Sequence, residues 1–429
     1  MTKPSTLRPL HWLLLALCLL AASFLAQQCQ RPISYNGGLG WDGVDYARMA
    51  TQLAQGQTPQ AQAPFVYRVG APWLAALLAP DDPPRAFLLL NRICALLAPL
   101  LLATWLARRG LKAGTVVGLV LAFALPWHAP LRLTPFYPVH VDPLMWLFWL
   151  GALWLLEFSH HKPTGARSLW PWLLWILPAV AVREVLLLPA LALAAQSSPL
   201  LLRRASLRHW WNHALQRLEM WRLLPVALGL ACFAGIHSWS RPEQHYGFLS
   251  TALSWAWMKS PPHLAHGALL AFGPFILALL ALGHAHWWPR LKERQDWLVW
   301  GMGVLVLGWL GGSDTERLLF WGAPFVLWGA GRAWEAWWPS LRHSGSRAWL
   351  WLMTGLLAQG LSMRLWWTIP DHPGSERLVL PLFSPLSSTG RYLDLWSQHA
   401  RPEVQVLGLA EGLAMVLLLV GWAWKLKER

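Results

Sequence analysis

Long apolar segments recur along the chain and are separated by short polar ones. Several have about 20 residues, the length that an α-helix needs to cross a bilayer, so we predict an all-α, polytopic transmembrane helical bundle of about ten full spans. No stretch between them is long enough for a soluble domain of ordinary size, and residues 1–429 are expected to form one integral membrane domain. The predicted spans are residues 10–28, 86–107, 113–130, 140–158, 223–239, 265–287, 297–312, 318–331, 348–367 and 405–424.

One apolar block, residues 169–196, is interrupted by Arg183 and Glu184. If it crossed the membrane once, the arginine-rich segment 203–222 would lie outside the cell, against the positive-inside rule. A hairpin of two short helices removes this conflict. We therefore predict helices at about 169–182 and 185–196, with Arg183 and Glu184 at the turn.

The composition agrees with this architecture, since 55% of the residues are hydrophobic and only 13% are charged. The 34 tryptophans suit belts at the two membrane surfaces as well as packing between helices. The net charge of +15 would suggest nucleic acid in a soluble protein, but here most basic residues fall in turns on one predicted side. We expect no nucleic acid partner, a lipid bilayer as surroundings, and a multi-pass protein of the cytoplasmic (inner) membrane with both termini in the cytoplasm.

The N-terminal segment resembles a signal peptide because Lys3 and Arg8 precede the apolar run Leu10–Ala26. No A-x-A cleavage site follows it, so we interpret this run as an uncleaved first span. The four cysteines are scattered and predict neither a disulfide framework nor a CxxC metal site.

The first outer loop, residues 29–85, contains the glycine-rich stretch YNGGLGWDGVDY at 35–46, with Asp42 and Asp45. Two interpretations of these aspartates remain open. They could cap the helix that follows, as Asp often does, or one could act as a general base beside a backbone that lets a substrate approach closely. An apolar piece, Val69–Ala79, is too short to span and is expected to lie along the outer surface.

Other polar residues on the same predicted side are candidates for substrate binding. Arg68, next to Tyr67, could extend its charge to lipid headgroups or bind a phosphate. Ionisable residues within an apolar block usually face a cavity or each other, which makes Arg183 and Glu184 notable. The candidate substrate-binding residues are Tyr46, Tyr67, Arg68, Arg132, His140, Asp142, Arg183, Glu184, Asp314, Glu316 and Arg317.

Each of the remaining features also has a structural interpretation. The SDTER sequence at 313–317 could be a self-satisfied turn, and Asp142 could favour the helix that it begins. The pairs His263/His266 and His284/His286 have spacings that can bind metal, but no acidic partners accompany them, and structural roles are favoured. The last outer loop, 369–404, is polar and contains prolines.

The chain resembles the GT-C superfamily of membrane glycosyltransferases. The resemblance is carried by Asp42 and Asp45 in GWDGVDY, with weaker support from Arg183-Glu184 and SDTER at 313–317. It implies a polyprenyl-phosphate sugar donor, a glycan, lipid or protein acceptor on the outer face, inversion at the transferred sugar, and a first-loop aspartate as base. The D-G-V-D spacing differs from a D-x-D motif, which leaves open the acting aspartate and any dependence on a divalent metal; the sequence identifies no cofactor.

In such a reaction the leaving lipid phosphate needs fixed cations, for which Arg68, Arg183 and Arg317 are the candidates. A transporter or flippase for a lipid-linked or small anionic substrate is the main alternative, because transporters also contain intramembrane charges and broken helices. A non-catalytic assembly subunit is a third. We find no convincing internal repeat, and the polar residues collect at one face, which favours the transferase.

Overall fold

The computed structural model describes residues 7–161, 169–196, 220–365, 368–369, 371 and 402–428. Within these ranges the chain is nearly all helical, as the hydrophobic pattern predicts. The predicted last outer loop, 369–404, and the basic segment 203–217 fall almost wholly outside the described residues.

The helices differ widely in length, from 6 to 26 residues. In chain order they are α1 (Pro9–Cys29), α2 (Gly43–Ala54), α3 (Gly70–Leu78), α4 (Pro83–Arg108), α5 (Ala113–Ala124), α6 (Pro130–Phe136), α7 (Asp142–His161), α8 (Trp170–Val182), α9 (Leu187–Ala195), α10 (Leu224–Trp239), α11 (Phe248–Met258), α12 (Pro261–Phe272), α13 (Pro274–Leu282), α14 (His284–Lys292), α15 (Gln295–Leu310), α16 (Thr315–Phe320), α17 (Ala323–Leu341), α18 (Ser346–Ser362) and α19 (Pro402–Lys427). Two short strands, β1 (Gln60–Ala61) and β2 (Arg241–Pro242), pair in parallel.

Four helices in the described ranges are long and apolar enough to cross a membrane: α1, α4, the segment Trp221–Trp239 that includes α10, and α19. A bent pair, α12 and α13, brings the number to five if it counts as one span. The structure does not confirm about ten full spans. One reason is visible at the predicted span 265–287, where Gly273 and Pro274 break the helix with a bend of 96°.

The interrupted block does form a hairpin. At the beginning of α8, Trp172 Nε1 donates a hydrogen bond to Ser159 Oγ (3.0 Å), and after α9, Gln196 Nε2 donates to the carbonyl of Leu156 (2.9 Å). Both positions lie at the C-terminal end of α7. Between the two helices, Arg183 pairs with Asp142 at the N-terminal end of α7. The chain therefore reverses direction at Arg183, where the sequence predicts the turn.

We call the end of the bundle that contains Asp142 the site end, and the end that contains the last turn of α7 the opposite end. Near the C-terminus of α1, Ile33 N donates to the carbonyl of Phe136 (2.8 Å), just before α7 begins. Near the C-terminus of α19, Ser344 Oγ donates to the carbonyl of Leu426 (2.8 Å) in the turn between α17 and α18. The described parts of both termini thus lie at the opposite end.

Buried ion pairs join three helices at the opposite end. Glu157 of α7 pairs with Arg109, which follows α4, and with Arg294, which precedes α15 (Nη1 to Oε1, 3.1 Å). Arg294 also binds Asp296 in the first turn of α15 (Nη2 to Oδ2, 2.6 Å). Because each buried charge has a partner, removal of one member would leave another uncompensated. The network holds α4, α7 and α15 together, away from the candidate chemistry.

Tryptophan side chains fill much of the interior between these helices. Trp149 of α7 packs edge-on against Trp300 of α15, with ring centroids 4.8 Å apart, and its indole nitrogen donates to the carbonyl of Trp321 (2.9 Å). A buried tryptophan usually finds such a partner for its N–H group. The core thereby joins α7 and α15 to the segment that carries α16.

Candidate functional site

The backbone before α2 lies against the segment that precedes α7, and glycines make this approach feasible. A Cβ atom on Gly43 would lie 2.5 Å from the carbonyl oxygen of Val139, which is far too close. Gly43 N donates a hydrogen bond to Tyr137 Oη (2.8 Å), and Tyr137 in turn donates to Asp42 Oδ1. The side chain of Asp42 makes no capping hydrogen bond to α2. The capping interpretation therefore does not describe Asp42, whose carboxylate is held by the Tyr137 hydroxyl.

Asp45 lies in different surroundings, although it is only three residues away. It is buried, it forms an ion pair with Arg48, and it accepts a hydrogen bond from Gln62 N (3.4 Å). Burial raises the pKa of the Asp45 carboxyl, and the bonds from Gln62 and Arg48 oppose that shift. Arg48 also pairs with Glu243, beside the contact of β1 with β2. Asp45 thus holds Arg48, which joins the first loop to the segment after α10.

Arg68 connects the first loop to the hairpin turn. It binds both carboxylate oxygens of Glu184, with Nε to Oε2 at 3.0 Å and Nη2 to Oε1 at 2.6 Å, and its Nη1 donates to Tyr46 Oη (3.1 Å). Gly70 lets α3 approach the end of α8, because a Cβ there would lie 2.9 Å from the backbone carbon of Ala181. The side chain of Arg68 is therefore enclosed by protein.

Asp142 lies between two arginines from separate parts of the chain. It pairs with Arg183 at the hairpin turn and with Arg317 of α16 (Nη1 to Oδ2, 3.3 Å). Arg317 also pairs with Asp314, and Arg183 lies over the ring of Trp321 with Cζ 4.8 Å from the centroid. The N-terminus of α7, the hairpin and α16 therefore meet at one carboxylate.

His140 lies beside this group of charges. Its ring stacks on Tyr137, with centroids 5.3 Å apart and planes 10° apart. Arg317 and Asp42 are also close enough for a charge interaction. Asp42, Tyr137, His140 and Arg317 thus form the part of the site nearest to the first loop.

The three arginines differ in access. The side chains of Arg68 and Arg183 are each 8% exposed, whereas that of Arg317 is 23% exposed. Four carboxylates lie around these three arginines, those of Asp42, Asp142, Glu184 and Asp314. Arg68 and Arg183 are suited to holding the site in shape, and Arg317 is the arginine that a bound anion could reach.

Three of the sequence candidates are placed apart from these ion pairs. Arg132 Nη1 donates to the carbonyl of Leu365 (3.0 Å). Tyr67 stacks on His237, with ring centroids 4.6 Å apart, within an aromatic group at α10. Glu316 lines a small cavity together with His128 and Arg364. Their predicted substrate contacts remain untested.

Sequence reasoning missed several residues that the structure places in or beside the site. The most important is Tyr137, which holds Asp42, and its only sequence signal is its position three residues before His140. Arg48 follows Asp45 by three positions on a helix, a spacing that brings side chains together, and could have been found in this way. Nothing in the sequence pointed to Trp321.

The described residues contain no group of three or more His, Cys, Asp or Glu side chains that could hold a metal ion. His263 is used otherwise, since its Nε2 lies 3.0 Å from Thr315 Oγ1 and its Nδ1 lies 3.3 Å from Gln405 Nε2. This histidine joins α12 to α16 and α19, in agreement with a structural role.

A scan of protein families finds no match to the sequence, and a search of curated proteins finds none either. Among solved structures, the chain is similar to the Archaeoglobus fulgidus oligosaccharyltransferase in complex with Zn and sulfate, with a TM-score of 0.49 and 12% identity over 80% of this chain and 52% of that chain. For its apo form the TM-score is 0.48, with 12% identity over 96% and 55% of the two chains.

The oligosaccharyltransferase AglB from Archaeoglobus fulgidus, in complex with an inhibitory peptide and a dolichol-phosphate, gives a TM-score of 0.46 with 12% identity over 96% of this chain and 55% of that chain. The chain therefore spans about half the length of the solved structures that it resembles. At 12% identity, these similarities concern the arrangement of the helices alone.

Proposed function

We propose that this protein is a membrane glycosyltransferase that moves a sugar from a polyprenyl-phosphate donor to an acceptor at the site end. Asp42 takes the proton from the acceptor nucleophile, which attacks the anomeric carbon. The bond from that carbon to the phosphate oxygen breaks, the configuration inverts, and polyprenyl phosphate leaves. The proton ends on Asp42, and this scheme uses protein side chains alone.

The observation that carries the proposal is the difference between the two first-loop aspartates. Asp45 is buried and paired with Arg48, whereas Asp42 is partly exposed and is held by the Tyr137 hydroxyl without an ion pair among the described residues. A general base must reach the proton that it removes. Access and a fixed orientation both favour Asp42.

The arrangement of arginines supports a phosphate as the leaving group. Arg317 is the most exposed of the three paired arginines and is within electrostatic reach of Asp42. A guanidinium that is already fixed in place stabilises developing negative charge without having to reorganise. We assign contact with the phosphate to Arg317, and assign to Arg68 and Arg183 the role of holding the first loop, the hairpin and α7 together.

We further propose that the site end faces the outside of the cytoplasmic membrane and that both termini face the cytoplasm. The turns at the opposite end contain basic pairs such as Arg108-Arg109 and Lys425-Lys427, which favour the cytoplasmic side. In this arrangement the shorter helices complete a bundle of about ten crossings of uneven length. The acceptor is a glycan, lipid or protein on the outer face.

The transporter alternative has less support. A transport path needs polar groups near the midplane of the membrane. The ion pairs of Asp142 and Glu184 collect at the site end, and those of Glu157 and Arg294 at the opposite end. Two separate polar ends suit a bundle with chemistry at one surface.

The test uses purified protein in nanodiscs and follows the release of polyprenyl phosphate from polyprenyl-phosphate monosaccharides. Asp42→Asn is expected to lower kcat by about 10²- to 10⁴-fold, the usual contribution of a general base. Asp45→Asn is expected to keep most of kcat but to lose thermal stability, because Arg48 loses a partner. Asp81→Asn, an exposed carboxylate of the same loop, is the matched control and should change neither.

Wild-type activity in the Asp42→Asn variant would rule out Asp42 as the base. Abolished turnover in a folded Asp45→Asn variant, with Asp42→Asn active, would transfer the role to Asp45. If no polyprenyl-phosphate sugar is consumed by the wild-type protein with any offered sugar, the proposed donor class is wrong.

A further inference from the structure

Helix α11 exposes a row of large apolar side chains at the site end. None of its residues is buried, and Leu249, Leu253 and Trp257 are 74%, 52% and 91% exposed. A spacing of four residues places these three on one side of a helix. A soluble protein rarely leaves such a row uncovered.

The composition of α11 suits an apolar surrounding rather than water. The helix contains no charged residue. Its two exposed hydroxyl groups are already satisfied within the helix, because Ser250 Oγ donates to the carbonyl of Gly247 and Ser254 Oγ to that of Ser250, both at 2.9 Å. Serine hydroxyls that bond back to the preceding turn need no water partner. The whole exposed side of α11 can therefore be transferred from water to an apolar surrounding with the loss of few hydrogen bonds.

The position of α11 continues the lipid-facing surface of the neighbouring helices. Its N-terminal Phe248 packs against Phe233 of α10, with ring centroids 5.9 Å apart. Near its C-terminus, the carbonyl of Ala256 accepts a hydrogen bond from Trp309 Nε1 of α15 (3.2 Å). On α15, Met302 and Leu305 are also more than half exposed. The apolar row of α11 thus adjoins an apolar surface that runs along α15 toward the opposite end.

We propose that α11 is an interfacial helix that lies in the bilayer surface at the site end, with Leu249, Leu253 and Trp257 inserted among the lipids. Its 11 residues extend only about 16 Å, too short to span the hydrocarbon core. The occupant of this surface is the bilayer itself, since the row is uncharged and continuous with the lipid-facing side of α15. Interfacial helices bind in this way through an apolar side, and tryptophan is favoured at that depth.

The insertion of α11 into the bilayer surface also affects the neighbouring site. Directly after α11, Lys259 Nζ donates to the carbonyl of Gly308 (2.7 Å), and His263 of the next helix contacts Thr315, two residues before Arg317. A helix fixed at the membrane surface therefore adjoins the segment that carries Arg317. The inserted helix holds this segment at the depth of lipid headgroups. The inference concerns a lipid contact and does not depend on the proposed reaction.

The test places a nitroxide spin label at residue 253 or 257 of a cysteine-free full-length chain in phosphatidylethanolamine and phosphatidylglycerol vesicles. The control label is at 244, an exposed position in the loop before α11. Collision with oxygen, which concentrates in lipid, is compared with collision with a water-soluble nickel chelate. We expect the ratio of oxygen to nickel collision rates to be at least about five times higher at 253 and 257 than at 244, since apolar solutes concentrate in the hydrocarbon region.

Equal ratios at the three positions would overturn the proposal. So would spin–spin broadening at 257 that disappears on dilution with unlabelled protein, because it would show that a second copy covers the row. A second measurement avoids removal of the cysteines: p-benzoylphenylalanine at 253 or 257 should cross-link to radiolabelled phospholipid, whereas the same group at 244 should not. Absence of lipid cross-links at all three positions would likewise contradict the proposal.

Discussion

Residues that are close in sequence have unlike surroundings in the first loop. Asp42 and Asp45 are three positions apart, yet one is presented by the Tyr137 hydroxyl and the other is enclosed by Arg48 and Gln62 N. The difference arises because the loop packs against the segment before α7, which touches Asp42, while α2 turns Asp45 toward β1. A carboxylate that is already engaged in an ion pair is a poor candidate for proton transfer, which is why we propose Asp42 and not Asp45 as the base.

The close approach at Gly43 gives a prediction at this scale. Gly43→Ala places a methyl group 2.5 Å from the carbonyl oxygen of Val139, so the loop must move and the bond from Tyr137 to Asp42 must lengthen. We expect a loss of about 1–3 kcal/mol in the free energy of unfolding, together with a fall in transferase activity, measured by thermal unfolding in detergent and by donor consumption.

Gly114→Ala is the matched control for that variant, because a Cβ atom at Gly114 meets nothing within 4 Å and the residue lies in α5. It should be neutral or slightly stabilising, since alanine favours a helix over glycine. Equal behaviour of the two variants would show that the loop does not depend on the close contact.

At the scale of elements, a single side chain forms hydrogen bonds with the backbone groups at the break between α12 and α13. Gln359 of α18 accepts hydrogen bonds from Phe275 N (3.1 Å) and Ile276 N (3.3 Å), and donates one to the carbonyl of Phe272 (2.7 Å). A helix break in a membrane leaves backbone groups that need partners, since lipid offers none. The side-chain amide of Gln359 supplies these partners. The chain can therefore bend between α12 and α13, and α12 brings His263 to Thr315.

We therefore predict that Gln359→Leu is strongly destabilising. It leaves two N–H groups and one carbonyl in the bend without their partner, at about 1–3 kcal/mol for each buried unsatisfied group. Thermal unfolding of the purified protein should show a large fall in Tm. Leu357→Ala is the control on the same helix, because Leu357 is 53% exposed and faces away from the break. A Tm equal to that of the wild type for Gln359→Leu would mean that other groups satisfy the bend.

At the scale of the whole molecule, the two ends of the bundle divide the charges between them. The site end combines carboxylates with arginines from the first loop, the hairpin and α16, whereas the opposite end contains the basic turns and the Glu157 network. The described parts of both termini share one end with the basic turns, so the positive-inside rule assigns the molecule a single orientation. The proposed orientation thus follows from the charges of the turns together.

Native Cys29 provides a test of that orientation. It is an exposed, free cysteine at the last residue of α1, which lies toward the site end. A membrane-impermeant thiol reagent should label it in intact cells, and Cys29→Ser should abolish the signal. A cysteine at Ser346, the first residue of α18 at the opposite end, is the counterpart: in the Cys29→Ser background it should react only after permeabilisation. The reverse pattern would invert the proposed topology.

The sequence by itself determined the class of the molecule and the position of the hairpin turn. The apolar periodicity predicts a helical membrane protein, and the misplaced Arg183 and Glu184 predict the hairpin, because charge within an apolar block and the positive-inside rule act locally along the chain. The sequence could not count the full crossings. Bends such as that at Gly273 depend on a partner, Gln359, that lies 86 positions away.

Only the tertiary structure decided which polar residues meet. Asp142 and Arg317 are far apart in sequence and pair because α7 and α16 pack at one end, whereas Tyr67 and Arg132 are drawn to other partners. Likewise, Asp42 and Asp45 look equivalent in GWDGVDY, and the difference between them arises from Tyr137, which belongs to a distant segment. Local composition specifies helices and charge placement, but the surroundings of a carboxylate are set by whichever segments pack around it.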